Sequence, residues 1–354
     1  MYNKHKFIAK EEINKTLKLC NFCTQKVGIS FVDNQPGILS RKIWSYVWFL
    51  GTAMILILKL LGQIFYVIIK LFTSASVVEF VAGLHIIGYD TMSFGKLLTM
   101  WYKRNIFCEL LNELSELWPT DNHDKEAADI KQEKLSRLRI GQFCIVSVWS
   151  MLGSDILFMT MSSHISMLLR LLQLEIRRLG KQDGNNKHTK RIDCYDDIIS
   201  IIKIHQRLIT YGNNLEDAFA FVNLLNVLIS SVNICFVVFN ILLDPWMAMS
   251  NKFFLGAALT QVGIICWYAD DIFTSSSGMA VSVYESSWYN CNIRCQRALL
   301  ILIQRSQKPL YFTALKFSSI TMSTYSSVKF HLLLLVTKFL TVSSILSKRN
   351  YTAT

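Results

Sequence analysis

The chain has 354 residues, 52% hydrophobic and 18% charged, with a mean hydropathy of +0.32 and a formal net charge of +12. Soluble domains average about 25% charged residues, so this balance excludes an ordinary soluble domain. The Lys and Arg residues gather between apolar runs, which points to basic cytosolic loops and away from a nucleic-acid-binding module.

The first segment, 1–42, is polar. Lys4, Lys6, Lys10, Lys15, Lys18 and Lys26 place it in the cytosol, and no cleavable signal peptide is visible. A spanning helix needs roughly 20 mostly apolar residues. Within 43–283 the candidates are 43–69, interrupted by Lys59; 76–100, with Glu79, His85 and Asp90 inside; 140–172, with Asp155 and His164; 219–243; and 253–283, with Asp270 and Asp271 near its middle. Between the second and third, Phe107, Leu110, Leu111, Leu114 and Trp118 recur at helical spacing, and Pro119 ends the pattern. This reads as a helix that leaves the membrane and packs on its neighbours. The stretch 284–310 is basic and amphipathic. The region 311–346 beyond Pro309 is an apolar, Ser/Thr-rich last helix, and 347–354 is a tail.

These spans conflict with the distribution of charge. The loop Glu175–Asp193 holds Arg177, Arg178, Lys181, Lys187, Lys190 and Arg191, whereas Asp244–Asn251 has no basic residue. The first should be inside and the second outside. With the N-terminus inside and one crossing per apolar run, the third span would export the basic loop. An odd number of crossings is missing from the middle of the chain.

No arrangement reads as catalytic. Asp270 and Asp271 are adjacent and cannot share a helix face as an acid/base pair. His85, His164 and His205 have no carboxylate or Cys at ligand spacing, and no glycine-rich phosphate loop occurs. The nine cysteines are scattered; Cys20/Cys23 and Cys291/Cys295 lack a partner pair, so no metal and no cofactor are expected. Ionisable groups inside a membrane are costly, and interhelical hydrogen bonding is the expected role of Asp155, Asp270 and Asp271.

The chain resembles the insect odorant receptors over about two thirds of its length. Asp155-Ile156-Leu157-Phe158 with His164 is similar to that family's fourth helix. Ile204-His205-Gln206 through Asn233-Ile234-Cys235-Phe236 resembles the fifth, and Cys266-Trp267-Tyr268-Ala269-Asp270 the sixth. The most specific match is Arg305-Ser306-Gln307-Lys308-Pro309-Leu310, followed by Lys316-Phe317 and Thr324-Tyr325-Ser326-Ser327-Val328. Leu315 stands where the family usually has glycine before Lys-Phe, and the match ends at Val328.

The resemblance implies an all-α, seven-helix membrane protein with a cytosolic N-terminus. It also implies that the rest of the third helix and the second extracellular loop are truncated here, leaving about six clear spans. The implied function is an odorant receptor subunit. It would bind a small hydrophobic odorant and form a ligand-gated, non-selective cation channel with a co-receptor as a hetero-tetramer in the plasma membrane of a sensory dendrite. The implied pocket lies in the outer half of the second, third, fourth and sixth helices, with Phe80, Leu84, Trp149, Met151, Ile264 and Trp267 as expected liners and ordinary helix packing as the competing role. Thr321, Tyr325, Val328 and Lys329 are the expected pore and gate positions, and ammonium groups ringed at Lys329 would repel cations. Trp288, Arg305, Lys308 and Pro309 are expected in the subunit anchor. Other readings are a gustatory receptor of the same superfamily, a nonfunctional truncated receptor and, more distantly, a secondary transporter.

Overall fold

A computed structural model describes residues 2–25, 27–29, 39–73, 77–119, 124–146, 152–180, 193–243 and 249–327. Those residues form helices α1 (Tyr2–Gln25), α2 (Leu39–Phe72), α3 (Val77–Tyr102), α4 (Arg104–Leu117), α5 (Lys125–Val146), α6 (Leu152–Arg178), α7 (Tyr195–Leu243), α8 (Met249–Glu285) and α9 (Ile293–Ser306), with a 3-10 turn at Trp288–Asn290 before α9. Among the described residues there is no strand, only an isolated bridge between Thr313 and Ser319. The most extensive helix pairs are α3 with α7 and α6 with α8.

The N-terminal segment is a docked helix. Ala9, Ile13, Leu17 and Cys20 recur every three or four residues and are buried, the spacing of one helical face. That face packs mainly on α6, and Glu12 accepts bonds from Trp118 Nε1 at 2.7 Å and Lys131 Nζ at 2.6 Å. After α1 the chain turns at Gly28, whose φ of +80° and close approach to the backbone of Ser45 and Phe49 leave no room for a side chain.

Helix α2 is the opposite case. Trp44, Leu50, Met54, Leu58, Leu61, Phe65 and Phe72 are all exposed, and little of its apolar core is covered by protein. An exposed apolar face of this length suits lipid. Helix α6 is also long and apolar enough to cross, yet 89% of its most apolar window is buried by other helices. Its apolar surface therefore belongs to a protein core.

The conflict over sidedness is resolved by α5 and α6. The run 140–172, expected as one span, is two antiparallel helices. Gln142 Nε2 donates to Thr160 Oγ1 at 3.0 Å, and Lys134 Nζ to Ser166 Oγ at 2.8 Å. In the first turn of α6, Asp155 is held by Lys96 of α3, Asn226 of α7 and Gln261 of α8. At ~1.5 Å per residue, those three helices continue roughly 18–28 Å beyond this level. The five residues 147–151 lie outside the described set, and five residues reach at most about 18 Å fully extended. They cannot climb to the outer surface and return, so the α5–α6 hairpin does not cross. The described crossings are then α2, α3, α7 and α8, and the basic loop after α6 stays on the side of the N-terminus.

Helix α7 runs unbroken for 49 residues, roughly 70 Å, against a hydrocarbon core of about 30 Å. Its inner half projects from the membrane and packs with α9 and α4. The helix expected throughout 311–346 begins later. Residues 311–321 form a turn in which Ala314 N donates to Ser318 O and Ile320 N to Phe312 O, both at 2.9 Å. Thr313 Oγ1 ties the turn to Glu216 of α7 at 2.6 Å. Helix resumes at 322–327, and later residues lie outside the described set.

Candidate functional site

A cavity of about 620 Å³ opens above the first turn of α6, where the hairpin ends. Gly153 and Ser154 form its floor, and Thr24, Val27 and Ile29 from α1 and the turn after it close one side. Helix α2 contributes Thr52, Leu56 and Lys59; α3 contributes Ile86, Tyr89, Asp90 and Ser93; α8 contributes Phe254, Ala257 and Gln261. Spacings of three and four put each set on one face of its helix. The Phe254 ring meets Tyr89 edge-on at 4.7 Å, bracing α8 against α3.

Two ion pairs border this space. Lys59 Nζ lies 2.7 Å from Asp90 Oδ1, with the lysine side chain 53% exposed and the aspartate 6%. Lys96 Nζ lies 2.8 Å from Asp155, and both side chains are almost wholly buried. Asp155 also accepts from Gln261 Nε2 at 2.7 Å and Asn226 Nδ2 at 3.3 Å. A lone charge at this depth is costly, whereas a paired and hydrogen-bonded one is tolerated. Asp271 has the same kind of setting, with Lys134 at 2.7 Å and Arg170 at 3.1 Å. Asp270 accepts weakly from Met322 N at 3.4 Å. His164 packs edge-on against Trp118 at 4.8 Å.

The expected pocket residues do not line this cavity. Phe80, Leu84 and Ile264 are half-buried in helix contacts, Trp267 is 53% exposed, and Trp149 and Met151 lie outside the described residues. The residues overlooked as liners, Lys59 and Asp90, did carry a signal: opposite charges inside two successive apolar runs.

At the last helix, Tyr325 is half-buried with its ring against Gly263 of α8, where an added Cβ would sit 3.2 Å away. Thr321 Oγ1 pairs with Thr324 Oγ1 at 3.1 Å. Val328 and Lys329 lie outside the described residues. In the expected anchor, Trp288 opens the 3-10 turn, Arg305 donates to Lys308 O at 3.1 Å, and Pro309 follows the end of α9. Arg294 stacks 3.7 Å over Tyr195, clamping α9 to the start of α7.

The structure supplies Cys291 and Cys295 with the neighbour that the sequence did not reveal. Cys194 Sγ is 3.2 Å from Cys291 Sγ. Burial pushes the Cys194 and Cys295 thiols up to about 11, which makes them poor nucleophiles and poor ligands at neutral pH. Among the described residues no group of His, Cys, Asp or Glu has a metal-binding arrangement.

The family model described as 7tm Odorant receptor matches residues 138–330. Odorant receptor 85b of Drosophila melanogaster is 23% identical over 381 residues, covering 89% of this chain and 96% of that protein. Odorant receptor 85c of the same species is 23% identical over 382 residues, covering 89% and 95%. Both alignments are longer than the 354-residue chain, so these relatives carry stretches that it lacks. Among solved structures, the insect olfactory receptor OR5 from Machilis hrabei matches with a TM-score of 0.79 at 13% identity, covering 94% of this chain and 99% of that one. The same receptor in complex with eugenol matches with a TM-score of 0.77 at 12% identity, covering 95% and 99%.

Proposed function

The chain belongs to the insect odorant receptor family, and we propose that it is an odorant-binding subunit that forms a ligand-gated, non-selective cation channel with a co-receptor. Its membrane is the plasma membrane of a sensory neuron, and its ligand is a small, mostly apolar volatile. The observation that carries this reading is the cavity bounded by α2, α3 and α8. At about 620 Å³ it falls within the usual range for small-molecule sites, with apolar walls and a few convergent polar groups. It persists although the α5–α6 hairpin is short, which favours a working receptor over a decayed one. That the Machilis receptor of the same fold has been solved with eugenol supports a small-molecule ligand.

Conduction is assigned to the last helix, four copies of which would surround the axis with Val328 and Lys329 beyond the described turn at 322–327. Subunits would meet through the anchor around Trp288, Arg305, Lys308 and Pro309. There α9 leaves Leu300 and Ile301 exposed, consistent with a covered face in an assembly. Catalysis has no part in the proposal. Co-expression with the co-receptor, surface labelling and calcium imaging against an odorant panel test it. Odorant-evoked calcium entry that needs both subunits is expected; surface arrival with no response to any odorant would overturn it.

A further inference from the structure

The Lys59–Asp90 pair leaves more hydrogen-bonding capacity than it uses. Lys59 Nζ carries three N–H donors and gives one to Asp90 Oδ1 at 2.7 Å. The other carboxylate oxygen, Asp90 Oδ2, is buried with no hydrogen-bond partner among the described residues. Both residues border the cavity, beside the apolar surfaces of Leu56, Ile86, Phe254 and Ala257. An unsatisfied carboxylate oxygen at an apolar wall is costly, so a donor that reaches it gains more than an ordinary hydrogen bond would.

From this arrangement we infer that the cavity selects amphipathic ligands bearing one hydroxyl group, an alcohol or a phenol, whose O–H donates to Asp90 Oδ2 while its oxygen accepts from Lys59 Nζ. The inference rests on the receptor reading above and deepens it to a ligand class. A carboxylate ligand would face Asp90, and an ammonium ligand would face Lys59. A hydrocarbon or an ether would leave Oδ2 unpaired. The hydroxyl is the neutral group that both gives and takes a proton at one atom. A site built to pair with a hydroxyl rejects an analogue lacking it far more strongly than an apolar pocket rejects a change of one methylene. Helix α2 and the N-terminal helix α1 are thereby part of the binding site.

The test uses the full chain in lipid nanodiscs, tritiated para-ethylphenol as probe and para-ethylanisole, its methyl ether relative, as competitor. The phenol is expected to bind at least about tenfold more tightly than the ether. In Asp90→Leu, where Lys59 can snorkel toward solvent, and in the charge-neutral double variant Lys59→Met/Asp90→Leu, the two should bind with similar affinity. The ether should lose little in either variant. Equal affinities in the unaltered chain, discrimination that survives in a variant eluting as a single folded species, or no saturable binding would each overturn the inference. The receptor reading is judged separately: odorant-evoked calcium entry in which the ether is as potent as the phenol would sink the hydroxyl preference alone.

Discussion

Lys96 Nζ sits 2.8 Å from both carboxylate oxygens of Asp155, joining α3 to α6 where neither side chain reaches solvent. Breaking a buried pair leaves the other charge uncompensated, at a cost of about 3–5 kcal/mol. Lys96→Met should therefore lower thermal stability sharply, as read by size-exclusion survival after heating. The double variant Lys96→Met/Asp155→Leu should recover most of the loss. A single variant as stable as the unaltered chain would mean that Asn226 and Gln261 alone satisfy Asp155.

Leu315 has φ +47° and Lys316 φ +64°. A residue with a Cβ is strained in the left-handed region by about 1–2 kcal/mol, and glycine is not. Leu315 is 41% exposed, so its removal forfeits little packing. Leu315→Gly is expected to raise the melting temperature measurably, and Leu315→Val to lower it. The reverse order would show that the side chain contributes contacts outweighing the strain.

Gly88 of α3 faces the Asn233 amide of α7 so closely that any Cβ there would collide with it. Gly88→Ala should push the most extensively packed helix pair apart, at about 1–3 kcal/mol. Asn233→Ala should relieve that clash, and the amide it removes has no hydrogen-bond partner among the described residues. A double-mutant cycle on thermal stability reads the coupling; strictly additive effects would rule out the contact.

The hairpin fixes the sidedness of the chain. An epitope inserted within 181–192 should stain only after permeabilisation, and one within 244–248 should stain on intact cells. Staining of the first on intact cells would mean that α6 crosses the membrane.

Much of this arrangement was legible from the residues. The apolar runs carried α2, α3, α7 and α8, and the period of Phe107, Leu110 and Leu114 carried α4. The misplaced crossing was visible as a conflict of charge. Its cause was not, because hydropathy does not distinguish apolar surface covered by protein, as on α6, from apolar surface left to lipid, as on α2. No proline or glycine cluster separates α5 from α6 within 140–172, so the run read as continuous. Lys59 and Asp90 were seen separately, but their pairing depends on helix rotation, which spacing along the chain does not encode. Leu315 in place of glycine was noticed as a departure; only its backbone angle shows why glycine would suit the position.

The account stands or falls on odorant-gated conduction. Whole-cell recording from cells co-expressing this chain and the co-receptor, during a panel of volatile alcohols and phenols, measures it directly. The expected result is an inward current at negative potentials that reverses near zero and requires this subunit. A surface-labelled subunit that adds no odorant-evoked current, in cells whose co-receptor still conducts when activated directly, would contradict the account.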